Sequence, residues 1–419
     1  MTSTLVDFYV GKFIHEAKDK KRKKHLLWVS LLVNLGILGF FKYFNFFVDS
    51  FQSAFGTELD FLHLSVILPV GISFYTFQTM SYTIDIYKGE LKPTNSLMDF
   101  ALFVSFFPQL VAGPIERAKS LLPQLGKRLA TSKIQIKEGI NLIVMGLFRK
   151  VIIGDTSGRF VDHIFNDLYN YNSIEIAFAV LIFGIQIYAD FSGYSKIARG
   201  VAKLLGVELM VNFSQPYLSR NITEFWRRWH ISLSKWLRDY LYIPLGGNRK
   251  DESRTYINLM VTMLLGGLWH GASWNFVIWG ALHGVYLAIH KYYLKRKSRS
   301  IKQENNLSLK DISKVIATFG LVSFTWLFFR STSWESTEQI FSKFLEFEIS
   351  EYTFLFLQIL IAYYSISFLL DYFEYKYGQN FIFKIKNKAF SYGVLTMIFA
   401  ITLLYMFQAD PLPFIYFQF

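Results

Sequence analysis

No cysteine occurs among the 419 residues. A disulfide framework, a thiolate metal site and a thioester relay through this chain are therefore excluded. Charge is scarce too: Asp, Glu, Lys and Arg make up 18% of the chain, against roughly 25% in an ordinary soluble domain. The sequence contains no G-x-S-x-G elbow, P-loop or HExxH pair, and no internal repeat or low-complexity tract. What it has instead is apolar surface, with 52% hydrophobic and 19% aromatic residues. Apolar runs near the ~18-residue length of a membrane span recur almost end to end. A soluble enzyme, a disordered protein and a secreted disulfide scaffold are excluded, and the chain reads as an integral membrane protein.

Candidate spans lie at 26–48, 61–84, 138–154, 174–191, 257–290, 312–329, 352–370 and 390–409. The run at 97–116 is broken by Pro108, Gly113 and Pro114, which suits a re-entrant segment whose freed backbone groups are buried by protein. The run at 257–290 is too long for one span and carries Gly266–Gly267, so two short or bent helices are expected. The stretch before Leu26 is polar and mixed, without the apolar core of a signal peptide. The expected organisation is a basic N-terminal segment, 1–25, followed by a single membrane domain, 26–419, with its core at about 174–290.

The net charge of +13 is distributed by segment. Basic stretches at 12–24, 117–137, 195–256, 291–302 and 374–388 alternate with acid-rich connections at 49–60, 155–173 and 330–351. Because Lys and Arg concentrate in cytoplasmic loops, the basic segments are expected on the cytoplasmic side of a bacterial inner membrane. The segment 257–290 would then leave the cytoplasm and return to it. Nucleic acid is not an expected partner; membrane lipid is.

Eight histidines occur, and three stand out. His270 lies in LLGGLWHGASW, inside an apolar run, where an ionisable side chain is costly and marks function by default. Its position is equally compatible with an imidazole bonded to a helix carbonyl. Gly267 and Gly271 allow a ligand or backbone to approach on both sides, and Trp269 adjoins it. His230 lies in FWRRWHISLSKWLRDYLYIPLGGNRK, where a continuous helix would bring Arg227, His230, Ser234, Lys235 and Arg238 within one or two turns, interleaved with Trp226, Trp229 and Trp236. This pattern describes an interfacial amphipathic helix and equally a cationic vestibule for a phosphorylated carrier such as coenzyme A. His283, in WGALHGVY, is read as packing against a neighbouring helix. Asp190, closing a span, and Glu116, after a Gly-Pro pair, are read as pairing with arginine or capping a helix rather than as reacting groups. No metal-ligand set is recognised.

The motifs FWRRWHISLSKWLRDYLYIPLGGNRK and NLMVTMLLGGLWHGASWNFVIWGALHG, supported by PVGISFYTFQTMSYTIDIYKG, FFPQLVAGPIERAKSLLPQL and YADFSGYSKIARGVAKLLG, resemble the core of the membrane-bound O-acyltransferase family. Within it they are similar to the branch that O-acetylates alginate, peptidoglycan and cellulose. The resemblance covers about residues 10–419. It implies an all-α polytopic membrane fold, a bowl of roughly 8–11 transmembrane helices with re-entrant segments around a central tunnel. It further implies that His270 holds the place of the family's invariant histidine and His230 that of the second active-site residue. Acetyl-CoA is the implied donor, with no bound cofactor. An extracytoplasmic polysaccharide, or an SGNH-type partner protein, is the implied acceptor. Family members carry a hydrophobic span or two ahead of the segment matching KKRKKHLLWVSLLVNLGILGFFKYFNFF, so a peripheral helix is expected to be missing here.

The expected mechanism has acetyl-CoA docking against 195–256, with Arg227 and Arg228 facing its phosphates. His270 would act as general base, and His230 would orient the thioester or assist the leaving group. The alternatives are D-alanyl transfer to teichoic acid by the same fold, and a transporter whose intramembrane His, Asp and Glu line a permeation route.

Overall fold

The computed structural model describes residues 2–57, 59–110, 113–127, 130–296, 308–331, 333–345, 347–410 and 412–415. Glu58, Arg128, Lys297, Arg299, Lys302 and Glu346, which contribute to the expected charge alternation, lie outside the described residues. Every regular element among the described residues is helical. The chain forms two compact units, residues 1–136 with 201–210, and 137–200 with 211–419.

The first unit contains α1 (Thr2–Glu16), α2 (Lys20–Leu38), α3 (Phe44–Phe55), α4 (Ile72–Tyr87), α5 (Leu97–Ser105) and α6 (Ala118–Leu125). Residues 2–16 fall in the segment read as polar, yet they form a helix with one apolar face. Phe8, Val10 and Ile14 pack with Tyr82, Ile86, Phe100 and Phe103. Polar groups also meet inside this unit, because a buried donor or acceptor must find a partner. Ser30 and Asn34 donate to the Asp7 carboxylate at 2.6 and 2.7 Å, and Thr79 donates to Asn34 at 3.0 Å. The expected span 61–84 is α-helical only from Ile72, after a single 3-10 turn at Asp60–Leu62. Gly71 stands at φ +75°, where a Cβ would come 2.5 Å from the Leu110 carbonyl oxygen. That left-handed turn and Pro69 end any continuous helix before it. The run at 97–116 is broken, as its prolines predict.

The second unit contains α7 (Lys133–Leu147), which begins just before it, α8 (Thr156–Phe165), α9 (Ser173–Leu204), α10 (Ile222–Arg228), α11 (Ile231–Leu237), α12 (Glu252–His270), α13 (Trp274–Arg296), α14 (Ile312–Arg330), α15 (Trp334–Lys343), α16 (Thr353–Tyr377) and α17 (Lys388–Gln408). Residues 148–155 continue α7 as a wider helix, a distortion frequent at functional sites. Gly146 on α7 meets Gly193 on α9, each backbone lying where the other's Cβ would be. Small residues at a helix crossing let backbones approach closely in the absence of water.

Among the described residues, five helical stretches are long and apolar enough to cross a membrane: Lys20–Phe55, Ser173–Leu204, Leu309–Arg330, Thr353–Tyr377 and Lys388–Gln408. They coincide with the expected spans at 26–48, 174–191, 312–329, 352–370 and 390–409. The run at 257–290 divides into α12 and α13, as expected. The break falls at residues 271–273 rather than at the glycine pair.

Candidate active site

The site lies in the second unit and is built on the α12–α13 hairpin. Gly267 on α12 faces the Phe276 carbonyl, and Gly280 on α13 faces the Met263 carbonyl, so any side chain at either would force the helices apart. The turn is anchored by the buried Asn275, whose amide donates to the carbonyls of Ser331 and Ser333 at 3.0 and 3.2 Å and to Thr337 Oγ1 at 3.1 Å. His270 is the last residue of α12; Gly271 leaves the helix in an extended conformation, and a Cβ there would collide with the Phe276 ring. His270 is 4% exposed. Its walls are Trp269 and Trp279, each 5.0 Å away between ring centres, and Phe329 at 5.2 Å.

His230 reaches the same place by a different route. The expected continuous helix from Phe225 to Tyr240 is interrupted: α10 ends at Arg228, Trp229 is extended, and His230 takes φ +41°, ψ +56°. Left-handed backbone in a residue with a bulky side chain is strained, of order 1–3 kcal/mol, and persists where its surroundings over-determine it. Asn212 supplies much of that constraint. Its carbonyl accepts from Ile231 N–H at 2.9 Å. Its side-chain oxygen accepts from Ser232 N–H at 3.1 Å and from the Ser232 hydroxyl at 2.9 Å. A backbone N–H can only donate, so the atom facing it is the amide oxygen. The same oxygen lies 3.3 Å from His230 Nδ1, which therefore carries the ring proton and donates. In the neutral ring Nε2 is then the basic nitrogen.

The ring centres of His230 and His270 are 6.5 Å apart, close enough for both to reach one small reacting group. Phe191 packs edge-on to His230 at 4.7 Å, and Trp269 lies 5.8 Å from it. Trp229, Trp279 and Trp326 are fully buried around the pair. The two imidazoles therefore sit side by side in a buried aromatic cluster, suited to proton transfer shielded from solvent.

The other expected residues distribute unevenly. Trp229 is a core residue rather than an interfacial one. Arg227 and Arg238 are exposed, and Arg238 pairs with Asp239 at 2.6 Å. Arg228 is committed to Glu224 at 2.8 Å and to the Ser214 carbonyl at 3.1 Å. Glu224 also holds Arg220 at 3.0 Å. Burial pushes the Glu224 carboxyl up, but Arg220 and Arg228 outweigh it and hold the group below its ordinary pKa. Ser234 donates to the Trp229 carbonyl at 3.2 Å, closing the turn at the break. His283 accepts from the Trp226 indole at 3.3 Å through Nδ1 and bonds Thr325 at 3.0 Å through Nε2, tying α10, α13 and α14 together.

Asp190 lies within α9, which runs on to Leu204. It accepts from Ile415 N–H at 2.7 Å and pairs with Lys150 at 3.2 Å. Glu116 belongs to the first unit, where it accepts from Met210 N–H at 2.5 Å.

Two groups of residues escaped the sequence reading. Asn212 is one, since nothing in its local pattern marks it. The other is a buried ion network. Arg149, with no exposed side chain, sits 2.7 Å from Asp371 and 3.2 Å from Glu374. Lys196 pairs with Glu374 at 2.9 Å. Tyr188 donates to Asp371 at 3.0 Å. Gln215, itself at φ +46°, donates to Glu374 at 3.3 Å. Glu374 thus helps fix the 211–219 loop that carries Asn212. A signal was present: Arg149, with Lys150, lies inside the apolar run 138–154, and charges in such a run pair.

Residues 22–334 match the model of MBOAT, the membrane-bound O-acyltransferase family. A probable alginate O-acetylase of Pseudomonas aeruginosa is 43% identical over 81% of this chain and 65% of its own length. A peptidoglycan O-acetyltransferase of Helicobacter pylori is 36% identical over 81% of this chain and 68% of its own. A teichoic acid D-alanyltransferase of Streptococcus thermophilus is 27% identical over 62% of this chain and 68% of its own. The chain spans about two thirds of the length of these curated relatives.

Proposed function

Because the chain belongs to the membrane-bound O-acyltransferase family, we propose that it transfers an acetyl group onto hydroxyls of a polysaccharide outside a bacterial inner membrane, with His270 as the general base. The observation that carries this reading is the buried pair of imidazoles, His230 and His270, 6.5 Å apart between ring centres in an aromatic enclosure.

In this reading the acceptor hydroxyl gives its proton to His270 as its oxygen bonds to the carbonyl carbon of a thioester. The carbon–sulfur bond then breaks, and the sulfur leaves with the bonding pair and takes up a proton from the histidine pair. The position of His270 at the C-terminal end of α12 favours the imidazolium formed midway, by about 0.3–1 kcal/mol, because the helix's last carbonyls carry negative partial charge. His230, held by Asn212, orients the thioester or supplies the proton to the leaving sulfur. The donor is acetyl-CoA entering from the cytoplasm, where the basic segments lie under the positive-inside rule. Of the two arginines expected at its phosphates, Arg227 is the better placed, since Arg228 is held by Glu224. The acetyl group goes to the polysaccharide directly or through an extracytoplasmic SGNH-type partner protein.

D-alanyl transfer is the second reading, favoured by the D-alanyl-transferring relative, whose identity is lower than that of the acetyl-transferring ones. The test is transfer of radiolabelled acetyl from acetyl-CoA by membranes holding the chain. General-base help contributes about 10²–10⁴-fold, so His270→Ala at normal protein level should lose at least about 100-fold. Full activity in that variant would refute the assignment. Label from D-alanine carriers, and none from acetyl-CoA, would establish the second reading.

A further inference from the structure

A cavity sharing no lining residue with the histidine site lies at the N-terminal ends of α9 and α16 and has a volume of about 640 Å³. That is within the range of sites that hold a small organic ligand. Its walls are unusually aromatic for a polar rim. Tyr169 is 85% exposed and Tyr352 58%, and Tyr171 and Phe356 pack together behind them at 5.8 Å. Tyr169 is not a loose side chain. The Lys343 ammonium donates to its carbonyl at 3.1 Å and lies 5.1 Å from its ring centre.

Between the rings stand short polar groups at fixed positions. Asn172 caps α9, its amide oxygen accepting from Ile174 and Glu175 N–H at 3.0 Å each. Ser350 donates to Glu175, and Asn170 donates to Asp167 at 2.6 Å. Exposed flat rings beside a rim of amides and hydroxyls match one ligand chemistry. A pyranose ring has an apolar C–H face that lies on an aromatic face, and a girdle of hydroxyls that bonds polar groups. The charge of the lining narrows the class further. Among the described lining residues the acids are Glu175 and Glu348 and the basic groups are Lys343 and His163, so with a neutral imidazole the lining is net negative and would repel a polyanionic chain.

We propose that this cavity binds the acceptor polysaccharide as a chain of uncharged sugar residues, a glucan or an N-acetylhexosamine polymer rather than a polyuronate. The proposal rests on the acyl-transfer reading only for the identity of the polymer as acceptor. Both connections that build the cavity, 155–173 and 330–351, belong to the acid-rich set opposite the basic segments, which is the side where such an acceptor is met.

The experiment is titration of the purified full chain, in detergent, with three hexasaccharides: cellohexaose, chitohexaose and hexamannuronate. At least one uncharged hexasaccharide should bind, and Tyr169→Ala or Tyr352→Ala should weaken it by about tenfold or more, the loss expected on removing an aromatic anchor. Hexamannuronate should bind more weakly and gain on Glu348→Gln. His270→Ala should bind like the unmodified chain, so loss of transfer in that variant tests the acyl-transfer reading separately. Thermal melting of both tyrosine variants should match the parent, as expected for exposed side chains. The proposal is overturned if no uncharged hexasaccharide binds, if both tyrosine variants bind unchanged, or if hexamannuronate binds as tightly as the neutral sugars. It is equally overturned if the tyrosine variants lose only a co-purifying protein and no sugar.

Discussion

Replacing Arg149 by methionine removes one of the two cations that pair with Asp371 and Glu374 in a buried network. Arg149 contacts Asp371 at 2.7 Å and Glu374 at 3.2 Å, and Lys196 remains on Glu374 at 2.9 Å. Asp371 would be left as a buried carboxylate facing only the Tyr188 hydroxyl. Breaking a buried pair from one side costs about 3–5 kcal/mol, because the surviving charge is uncompensated. With about 2 cal/mol/K of unfolding entropy per residue over 419 residues, that corresponds to a fall in Tm of about 3–6 °C. The double variant Arg149→Met with Asp371→Asn removes one charge of each sign. It leaves the Lys196–Glu374 pair intact and keeps an acceptor for Tyr188, so half or more of the loss should return. The assay is thermal unfolding of detergent-purified protein at neutral pH, followed by intrinsic fluorescence. A single variant that melts within about 1 °C of the parent, or a double variant no more stable than the single, would falsify the view that uncompensated charge sets the cost. The same network reaches the site through Glu374 and Gln215, so the single variant should also lose acyl transfer below its new Tm.

Asn212→Ala removes the acceptor for Ser232 and His230, and a reacting group displaced by such a loss typically costs on the order of 10–100-fold. The loss should appear in kcat, with the KM for the donor little changed; a change confined to KM would contradict the positioning role. Gly267→Val drives a branched side chain into the Phe276 backbone. Overpacking of this kind costs about 1–3 kcal/mol or more, and the expected readout is a lower Tm together with lost transfer. Unchanged melting would show that the hairpin tolerates separation. Glu224 has a folded-state pKa below its ordinary value of 4.5. Its pairs with Arg220 and Arg228 therefore contribute stability above about pH 4.5 that is lost as pH falls through the lower, folded-state value. The Tm gap between parent and Glu224→Gln should hold from neutral pH down to this range and close below it; a gap that widens on acidification would reverse the sign of the argument.

The apolar runs and the charge alternation made membrane residence and most spanning helices legible, because both depend on local composition. Where a run broke, a local signal usually existed. Pro69 and Gly71 account for the late start of α4, and they stand openly in LPVGISF. The break at Trp229–His230 was not legible. Its residues are compatible with a helix, and the left-handed turn is enforced by Asn212, eighteen positions earlier.

The sequence by itself determined that this protein lives in a membrane and that its motifs are those of an acyltransferase, and it set His230, His270 and His283 apart from the other histidines. Only the tertiary structure decided that the rings of His230 and His270 share one buried aromatic cluster and that Asn212 bonds one of them. It also decided that Arg149, Lys196, Asp371 and Glu374, drawn from three separate helical segments, neutralise each other inside it. The physical reason is range. Hydropathy and charge bias act through neighbouring residues, whereas hydrogen bonds and buried ion pairs join groups whose separation along the chain carries no pattern.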